Sequence, residues 1–507
     1  MVGRSGSTAL VAAVDRSSPV PLHRQLYAGL REHILAGRLV GGTRLPSTRE
    51  LAAELGVSRN TVMTAFRQLL AEGYLEGKAG SGTYVTGSLP EDLLRTRVRQ
   101  DPEPPRIRAG RRLSRRGEDL ASIPAAIVRD LGPPRAFRPG LPALDEFPLQ
   151  IWQRLVREVC RRPRDLLGYG DPAGYRPLRE EISDYLRAAR AVRCRWEQVI
   201  VVSGSQQALD LTARVLLDPG DKVWVEDPGY GGARGALISA GADPVPVPVD
   251  DEGLDVEAGM ALDTAARLAC VTPSHQYPLG KTMSLPRRLA QVDWAPRHAA
   301  CGVEADYDSE YRYGGRPLEA LQGLDAEGRV IYAGTFSKVL FPSLRLGYLV
   351  VPPDLVDPFT TARELADRHS PVIEQAVLAR FISEGHFARH IRRMRKLYAE
   401  RQAALVGAAA RDLSALLEVR PAKAGMHLVG WLPEDVDDLE ASRHAAAEGL
   451  ETPALTRYET RPSGKKGLLL GYAAVTEQEI QIGVRRLARA LRTMFCTSFR
   501  RKRPPGR

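Results

Sequence analysis

Lys338 is the residue with the clearest chemical potential, and it ends the segment Tyr332-Ala-Gly-Thr-Phe-Ser-Lys338. The run at 330–333 has the strand-favouring composition of a buried β-strand. A lysine at the end of such a strand is well placed to form a Schiff base with an aldehyde cofactor. A Ser-Lys dipeptide alone is weak support, because surface lysines are common. The assignment therefore depends on the residues that accompany Lys338.

A second group of residues is suited to binding a phosphate. The run at 199–202 predicts a strand that ends in Ser203-Gly-Ser-Gln-Gln-Ala208, where a helix is expected to begin. Backbone N–H groups at the start of a helix bind anions, and Arg345 can add a charge-assisted bond. The contacts predicted around this phosphate and Lys338 are Ser203, Gly204, Ser205, Gln206, Ser337 and Arg345.

An aromatic ring and several carboxylates follow two further predicted strands. Asp227-Pro-Gly-Tyr230 offers the Tyr230 ring for stacking on a flat heterocycle. Glu304-Ala-Asp-Tyr-Asp-Ser-Glu310 supplies the Tyr307 phenol for a ring hydroxyl and a carboxylate for a pyridine nitrogen. A carboxylate there favours the protonated nitrogen, because an opposite charge stabilises the charged form. We predict that Asp306 has this role.

The elements that must position these residues alternate along the chain from Phe137 onward. Short β-rich runs at 199–202, 223–226, 268–272 and 330–333 are separated by stretches with helical patterns. This alternation predicts an α/β domain with a mostly parallel sheet covered by helices.

The order of phosphate cradle, stacking ring, carboxylate, phenol and lysine resembles that of fold-type-I enzymes that use pyridoxal 5'-phosphate (PLP), in particular the aspartate aminotransferase family. The resemblance spans residues 137–491 and implies PLP on Lys338, with His275 lining the cofactor pocket. The segments at 147–149, 169–179, 272–280 and 467–472 are also similar to the MocR/PdxR subfamily of GntR regulators, and two positions depart from what these resemblances imply. Ala305 replaces the first Asp of the Glu-Asp-Asp-Tyr-Asp pattern of that subfamily, which is the expected partner of the pyridine nitrogen. The segment 467–475 also has no clear equivalent of the arginine that grips a substrate carboxylate.

The N-terminal region predicts a helix-turn-helix. Ser47 and Glu50 have capping-box spacing, Gly56 is expected to form a tight turn, and Ser58 can cap a second helix over 58–72. The second helix should bury Val62, Phe66 and Leu69, and the preceding helix over 22–36 should bury Leu22, Leu26, Leu30, Ile34 and Leu35. Two short helices joined at a glycine turn are typical of proteins that read the major groove of DNA.

A Gly-rich segment at 77–85 follows and predicts a two-stranded wing with a cationic tip at Lys78. Residues 45–85 resemble the winged helix-turn-helix of GntR-family regulators, although Met63 stands where relatives often have Arg. The DNA contacts implied by this resemblance and by the helix start are Arg49, Ser58, Arg59, Asn60, Thr61, Lys78 and Gly82.

Together the two regions are similar to the MocR/PdxR subfamily of GntR regulators, which fuses these domains. The resemblance implies a head-to-tail homodimer, double-stranded operator DNA as partner, and control by an amine or amino-acid effector. The predicted organisation is a winged helix-turn-helix domain at 1–88, a flexible Arg/Pro-rich linker at 89–134, an aminotransferase-like PLP-binding domain at 135–495 and a basic tail at 496–507.

Composition is compatible with this organisation. The chain of 507 residues has 72 Lys and Arg against 61 Asp and Glu, a formal net charge of +11 that favours a polyanionic partner. Its five cysteines form no Cys-x-x-Cys pair, so no metal site is expected. With no long apolar run we expect no membrane span and a cytoplasmic protein.

Three functions remain open from the sequence. The favoured one is a PLP-dependent transcription regulator whose large domain senses PLP, an amine, or both. The second is an active aminotransferase with a vestigial DNA-binding arm, and multiple turnover of amino donors would identify it. The third is a PLP-independent DNA-binding protein whose large domain only dimerises. For this third function, Lys338→Ala would change neither spectrum nor regulation.

Overall fold

The computed structural model describes residues 14–78, 80–89, 112–122, 132, 134–161, 166–314 and 318–501. The chain divides into two compact units, Met1–Arg111 and Arg112–Arg507. No helix in these described ranges combines the length and apolar composition needed to cross a membrane.

The described residues of the first unit form three helices and a two-stranded wing. Its elements are α1 (Leu22–Leu35), α2 (Thr48–Glu54), α3 (Arg59–Ala71), β1 (Leu75–Lys78) and β2 (Gly82–Val85), with the two strands antiparallel. The predicted capping box is confirmed, since Ser47 Oγ accepts from Glu50 N at 3.2 Å and Glu50 Oε2 accepts from Ser47 N at 2.8 Å. Ser58 caps α3 by accepting from Thr61 N at 3.1 Å.

The core of this unit follows the helical periodicity with two exceptions, both at the ends of α1. The predicted inward residues of α3 are all buried, and so are Leu26, Leu30 and Ile34 of α1. Leu22, the first residue of α1, is only half-buried, and Leu35, the last, is 39% exposed. Leu35 lies 100° around the helix from Ile34, at the margin of the buried stripe.

The second unit is built on an eight-stranded sheet and a smaller three-stranded sheet. The strands are β3 (Val199–Val202), β4 (Lys222–Asp227), β5 (Asp243–Asp250), β6 (Gly253–Leu254), β7 (Leu268–Val271), β8 (Cys301–Asp306), β9 (Val330–Thr335), β10 (Gly347–Val350), β11 (Glu418–Val419), β12 (His427–Leu432) and β13 (Lys466–Gly471). The large sheet has the order β3-β10-β9-β8-β7-β4-β5-β6, and the small one β11-β12-β13. Within the large sheet, β9, β8, β7, β4 and β5 are parallel, whereas β10 is antiparallel to both its neighbours.

The helices of this unit cover both faces of the large sheet, as expected for an α/β domain, and the last of them pack on the small sheet. They are α4 (Arg115–Ser122), α5 (Leu149–Val159), α6 (Arg176–Arg190), α7 (Ser205–Leu216), α8 (Gly231–Ala240), α9 (Val256–Leu262), α10 (Leu285–Arg297), α11 (Leu321–Leu324), α12 (Val356–Asp367), α13 (Val372–Ser383), α14 (His386–Asp412), α15 (Asp438–Ala447) and α16 (Glu477–Arg501). One core cluster packs α7, α8 and α12 on Val225, Cys270 and Val303. On the opposite face Trp224 and Ala269 pack with α9 and α10. The alternation of side chains along the strands creates these two layers.

Two segments are more structured than the sequence suggested. The range predicted as a linker contains α4, whose Arg116 donates to the Ala240 carbonyl at 3.4 Å. Within that range, residues 90–111, 123–131 and 133 lie outside the described residues. Helix α16 continues into the predicted basic tail as far as Arg501, and 502–507 lie outside the described residues. Val484, Leu487 and Leu491 are buried at heptad-like spacing, and they anchor this helix before the predicted basic tail begins.

Candidate functional site

The predicted site residues meet where the parallel strands of the large sheet end. Strands β4, β7, β8 and β9 run in the same direction, so their carboxyl ends lie at one edge of the sheet. Asp227 ends β4, Thr272 follows β7, Asp306 ends β8, and Lys338 follows β9 by three residues. In open α/β sheets this edge is where ligands bind.

Lys338 contacts a segment that is distant in sequence. Its Nζ donates a hydrogen bond to the carbonyl oxygen of Gly140 at 2.7 Å. Burial lowers the pKa of the Lys338 ammonium group, Asp308 acts in the opposite direction, and Arg345 adds to the lowering. A lysine with a lowered pKa has more of the neutral amine that attacks carbonyl carbon.

The start of α7 has the features of an anion site. Gly204 precedes the helix with a φ of +106° and provides no side-chain cap. A Cβ placed on Gly204 would lie 3.4 Å from the Arg345 guanidinium, so this exposed cation lies beside the first turn of α7. Ser203 and Ser205 flank the glycine and are half-buried. Backbone N–H groups and a guanidinium at one point fit a phosphate.

The side chain of Gln206 links the starts of two helices. Its Nε2 donates to the Gly232 carbonyl at 2.9 Å, and its Oε1 lies 3.4 Å from the Tyr230 hydroxyl. Its side chain therefore ties the start of α7 to the start of α8, where Tyr230 is the residue before the helix. The Tyr230 ring also meets Tyr277 edge-on, with ring centroids 6.2 Å apart.

Below Tyr230 a cavity of about 50 Å³ reaches the sheet. Ala305 and Glu226 both line it. Glu226 accepts hydrogen bonds from Thr272 N at 2.9 Å, Thr272 Oγ1 at 2.6 Å and Gln276 Nε2 at 3.2 Å. Burial raises the pKa of the Glu226 carboxyl to about 7, although these hydrogen bonds act to lower it.

His275 forms a buried pair with Asp308. Its Nδ1 lies 3.0 Å from Asp308 Oδ2 and 2.9 Å from the Tyr307 hydroxyl. Its Nε2 is buried without a hydrogen-bond partner among the described residues. Burial raises the pKa of Asp308, and His275 opposes this shift. The pair therefore fixes the orientation of the His275 ring, whose Nε2 lies close to Gly280 and Gly425.

Asp306 lies on the other face of β8 from Ala305. The sequence placed residues 304–310 after the strand, but β8 includes Glu304 and Asp306, so side chains alternate through this segment. Asp306 forms an ion pair with Arg190 at 3.1 Å and accepts from Tyr332 Oη at 2.5 Å and Ser309 Oγ at 2.6 Å. Its carboxylate is thus held by three groups of the protein.

In the first unit, the predicted DNA contacts lie on an exposed surface. Arg49, Ser58, Arg59, Asn60, Lys78 and Gly82 are exposed, and Thr61 is half-buried. Arg59 Nε is 3.4 Å from Thr48 Oγ1, which joins the starts of α2 and α3. At the wing, Lys78 Nζ lies 5.0 Å from the centre of the Tyr84 ring. The start of α3 is therefore accessible for docking into a groove, as in other helix-turn-helix proteins.

Comparison with known proteins identifies both units. Residues 22–85 match the family described as bacterial regulatory proteins, gntR family, and residues 145–487 match aminotransferase class I and II. The chain is 46% identical to a probable rhizopine catabolism regulatory protein, MocR, of Rhizobium meliloti, over 94% of this chain and 95% of the relative. The chain belongs to the MocR/PdxR subfamily of GntR regulators. As a member, it is a transcription regulator with a DNA-binding domain and an aminotransferase-like domain.

Two further comparisons define the subfamily placement and the fold. The regulator of pyridoxine biosynthesis PdxR from Corynebacterium glutamicum is 33% identical, over 93% of this chain and 96% of its own length. The α-aminoadipate aminotransferase LysN of Thermus thermophilus, solved with N-(5'-phosphopyridoxyl)-L-leucine, is 30% identical with a TM-score of 0.69. The match covers 75% of this chain and 98% of the aminotransferase chain. The fold-type-I prediction is confirmed, and the aminotransferase class I and II family is PLP-dependent.

Sequence reasoning missed three residues of this MocR-type site. Gly140 lies 198 residues from Lys338, and no local pattern marked it. Asp308 stood inside the carboxylate-rich segment but was not assigned a role. Glu226 directly precedes the Asp-Pro-Gly-Tyr segment, and a carboxylate at the end of an apolar strand was a signal that could have been used.

Proposed function

We propose that this protein regulates transcription by binding PLP on Lys338 and coupling the binding of PLP, or of an amine or amino acid, to operator binding. The observation that carries the proposal is Lys338 itself. Its amine has a lowered pKa and lies at the ligand-binding edge of an aminotransferase fold, in a chain that also carries an exposed GntR helix-turn-helix. In a regulator, a retained nucleophile such as the Lys338 amine can be used to sense PLP or an amine.

The residues present fit PLP. The uncapped start of α7 and Arg345 would hold the phosphate, and Tyr230 would stack on the ring. Tyr307 would meet the ring hydroxyl. Ser337 Oγ is buried without a hydrogen-bond partner among the described residues, which leaves it able to donate to a ligand. Bound PLP would supply an aldehyde that condenses with amines and a ring that withdraws electrons.

The protein groups around Lys338 would control the protonation of a bound amine. Lys338 donates to Gly140 and lies in the field of Asp308 and Arg345. Asp308 also holds His275 in place. These groups bind and orient an amine without requiring turnover.

The region of strand β13 favours the sensing of a ligand over the transfer of an amino group. Strand β13 buries Leu468, Leu469 and Leu470, and the nearby Lys466 contacts Thr456 Oγ1 at 3.3 Å. No arginine is present from 467 to 475 to grip a carboxylate. Amine transfer is the second candidate function, favoured by the 30% identity to an aminotransferase that covers 75% of this chain.

We expect a head-to-tail homodimer in the cytoplasm, as the subfamily resemblance implies. In a dimer the spacing between two helix-turn-helix modules sets the half-site separation that DNA must match. The dimer can have its two modules at the spacing that fits the operator or at another spacing. An effector changes operator affinity only if its affinity differs between these two arrangements.

The experiment combines spectra with DNA binding. Wild type and Lys338→Ala are titrated with PLP, and binding to its own promoter DNA is measured with and without PLP and amines. We expect a visible band in wild type that Lys338→Ala abolishes, and DNA affinity that changes with ligand only in wild type. Turnover of amino donors over many cycles would favour amine transfer. The absence of a band in wild type would overturn the proposal.

A further inference from the structure

The cavity beside Tyr230 has a small residue where it meets β8. Ala305 contributes only a methyl group there, and the other apolar lining includes Leu209, Val225 and Cys270. Tyr230 and Ala305 line the same cavity, so residues of this cavity would surround a heterocycle held against Tyr230. A ring nitrogen buried among apolar side chains needs a hydrogen-bond partner.

Glu226 is the acid that reaches the same cavity. The register of β7 and β8 pairs Val271 with Glu304, so Thr272 follows beside Ala305. Glu226 accepts a hydrogen bond from the backbone N–H of Thr272, and both Glu226 and Ala305 line the cavity. Strand β4 therefore contributes an acid to a cavity where β8 contributes only a methyl group.

The carboxyl of Glu226 has capacity for one more partner. It accepts three hydrogen bonds, from two groups of Thr272 and from Gln276, whereas a carboxylate has about four acceptor positions. All three of these donors are uncharged. A protonated pyridine would add the cation that a buried carboxylate otherwise lacks.

We propose that Glu226 is the residue of this chain that bonds the ring nitrogen of PLP, in place of an acid at position 305. The inference rests on the proposed function, because it requires PLP to bind at Lys338. It replaces our sequence-based assignment of Asp306, whose carboxylate faces the other side of β8 and is held by Arg190, Tyr332 and Ser309.

The test compares PLP with 1-deazapyridoxal 5'-phosphate, in which C–H replaces the ring nitrogen. Dissociation constants for both are measured by absorbance titration of wild type, Glu226→Gln and Glu304→Gln. Glu304 is a matched control, because it is also a buried carboxyl with a pKa raised to about 7, yet it does not line the cavity. We expect wild type and Glu304→Gln to prefer PLP by roughly tenfold or more, and Glu226→Gln to lose most of this preference.

A rescue variant separates ring recognition from support of the loop at 272–276. Ala305→Asp in the Glu226→Gln background should restore the preference for PLP, although it cannot restore the bonds of Glu226 to Thr272. Equal preference in wild type and Glu226→Gln would overturn the inference while the proposed function stands. Loss of binding of both compounds to Glu226→Gln without rescue would also overturn it. Failure of wild type to bind PLP would overturn the proposed function and the inference with it.

Discussion

Lys338 Nζ and the carbonyl oxygen of Gly140 are 2.7 Å apart, although 198 residues separate them along the chain. Gly140 has a φ of +72°, and a Cβ placed on it would lie 3.2 Å from Lys338 Nζ. The segment before α5 therefore fixes the position of the lysine amine, and it can do so only with a residue that has no side chain.

We predict that Gly140→Ala impairs PLP loading. The methyl group would strain a left-handed backbone and crowd the lysine amine, so the rate of appearance of the visible band should fall several-fold. Stopped-flow absorbance with PLP measures this rate. Gly328→Ala is the control, because Gly328 has a φ of +68° and nothing within 4 Å of the added Cβ. Equal slowing in both variants would indicate general strain and contradict a specific effect on Lys338.

Arg345 should recognise the phosphate of PLP. Arg345→Gln is expected to weaken PLP binding by about tenfold to a hundredfold, since charge-assisted bonds contribute about 1.5–3 kcal/mol. Binding of pyridoxal, which has no phosphate, should change little. Absorbance titrations with both compounds give the ratio of dissociation constants. An unchanged ratio would place the phosphate away from the start of α7.

The start of α3 should contact DNA phosphates or bases. Arg59→Ala is expected to weaken binding to duplex DNA and to reduce the slope of log affinity against log salt by about 0.9 if one phosphate contact is lost. Fluorescence anisotropy across a salt series measures this slope. Arg38→Ala is the control, because Arg38 is exposed in the same unit and pairs with Glu32 at 3.1 Å. A slope reduced equally by both variants would contradict a specific role for Arg59.

Buried Glu304 should make stability depend on pH. Burial raises the pKa of its carboxyl to about 7, while the unfolded value is near 4.5. Between these values the folded protein binds more protons than the unfolded chain, so the free energy of unfolding falls as pH rises through this window. At pH 8 the ionised Glu304 should lower the free energy of unfolding by about 3 kcal/mol at most.

Glu304→Gln isolates this effect. The variant should gain stability relative to wild type between pH 5 and pH 8, with little further change above pH 8. Urea unfolding of both apoproteins at four pH values in this range gives the difference. A difference that stays constant with pH would show that the Glu304 carboxyl is ionised throughout.

Local patterns were sufficient to predict the helix-turn-helix and its wing. Capping by Ser47 and Ser58 and the periodic burial of Val62, Phe66 and Leu69 depend on residues three or four positions apart. The same holds for β3, β4, β7 and β9 of the large sheet, which have an apolar composition, whereas β5, β6 and β10 were not predicted. The Lys338 segment and the order of residues around it indicated the aminotransferase fold.

Only the tertiary structure decided which of these residues share a site. The extension of β8 through Asp306 places that carboxylate and Ala305 on opposite faces, because side chains alternate along a strand. A hydrogen bond to Thr272 holds Glu226 at the cavity that Ala305 lines, and the packing of a segment 198 residues away brings Gly140 to Lys338. Such contacts depend on how distant segments pack. The sequence by itself therefore determined the types of residue available for the chemistry, and the packing of the sheet determined which of them meet.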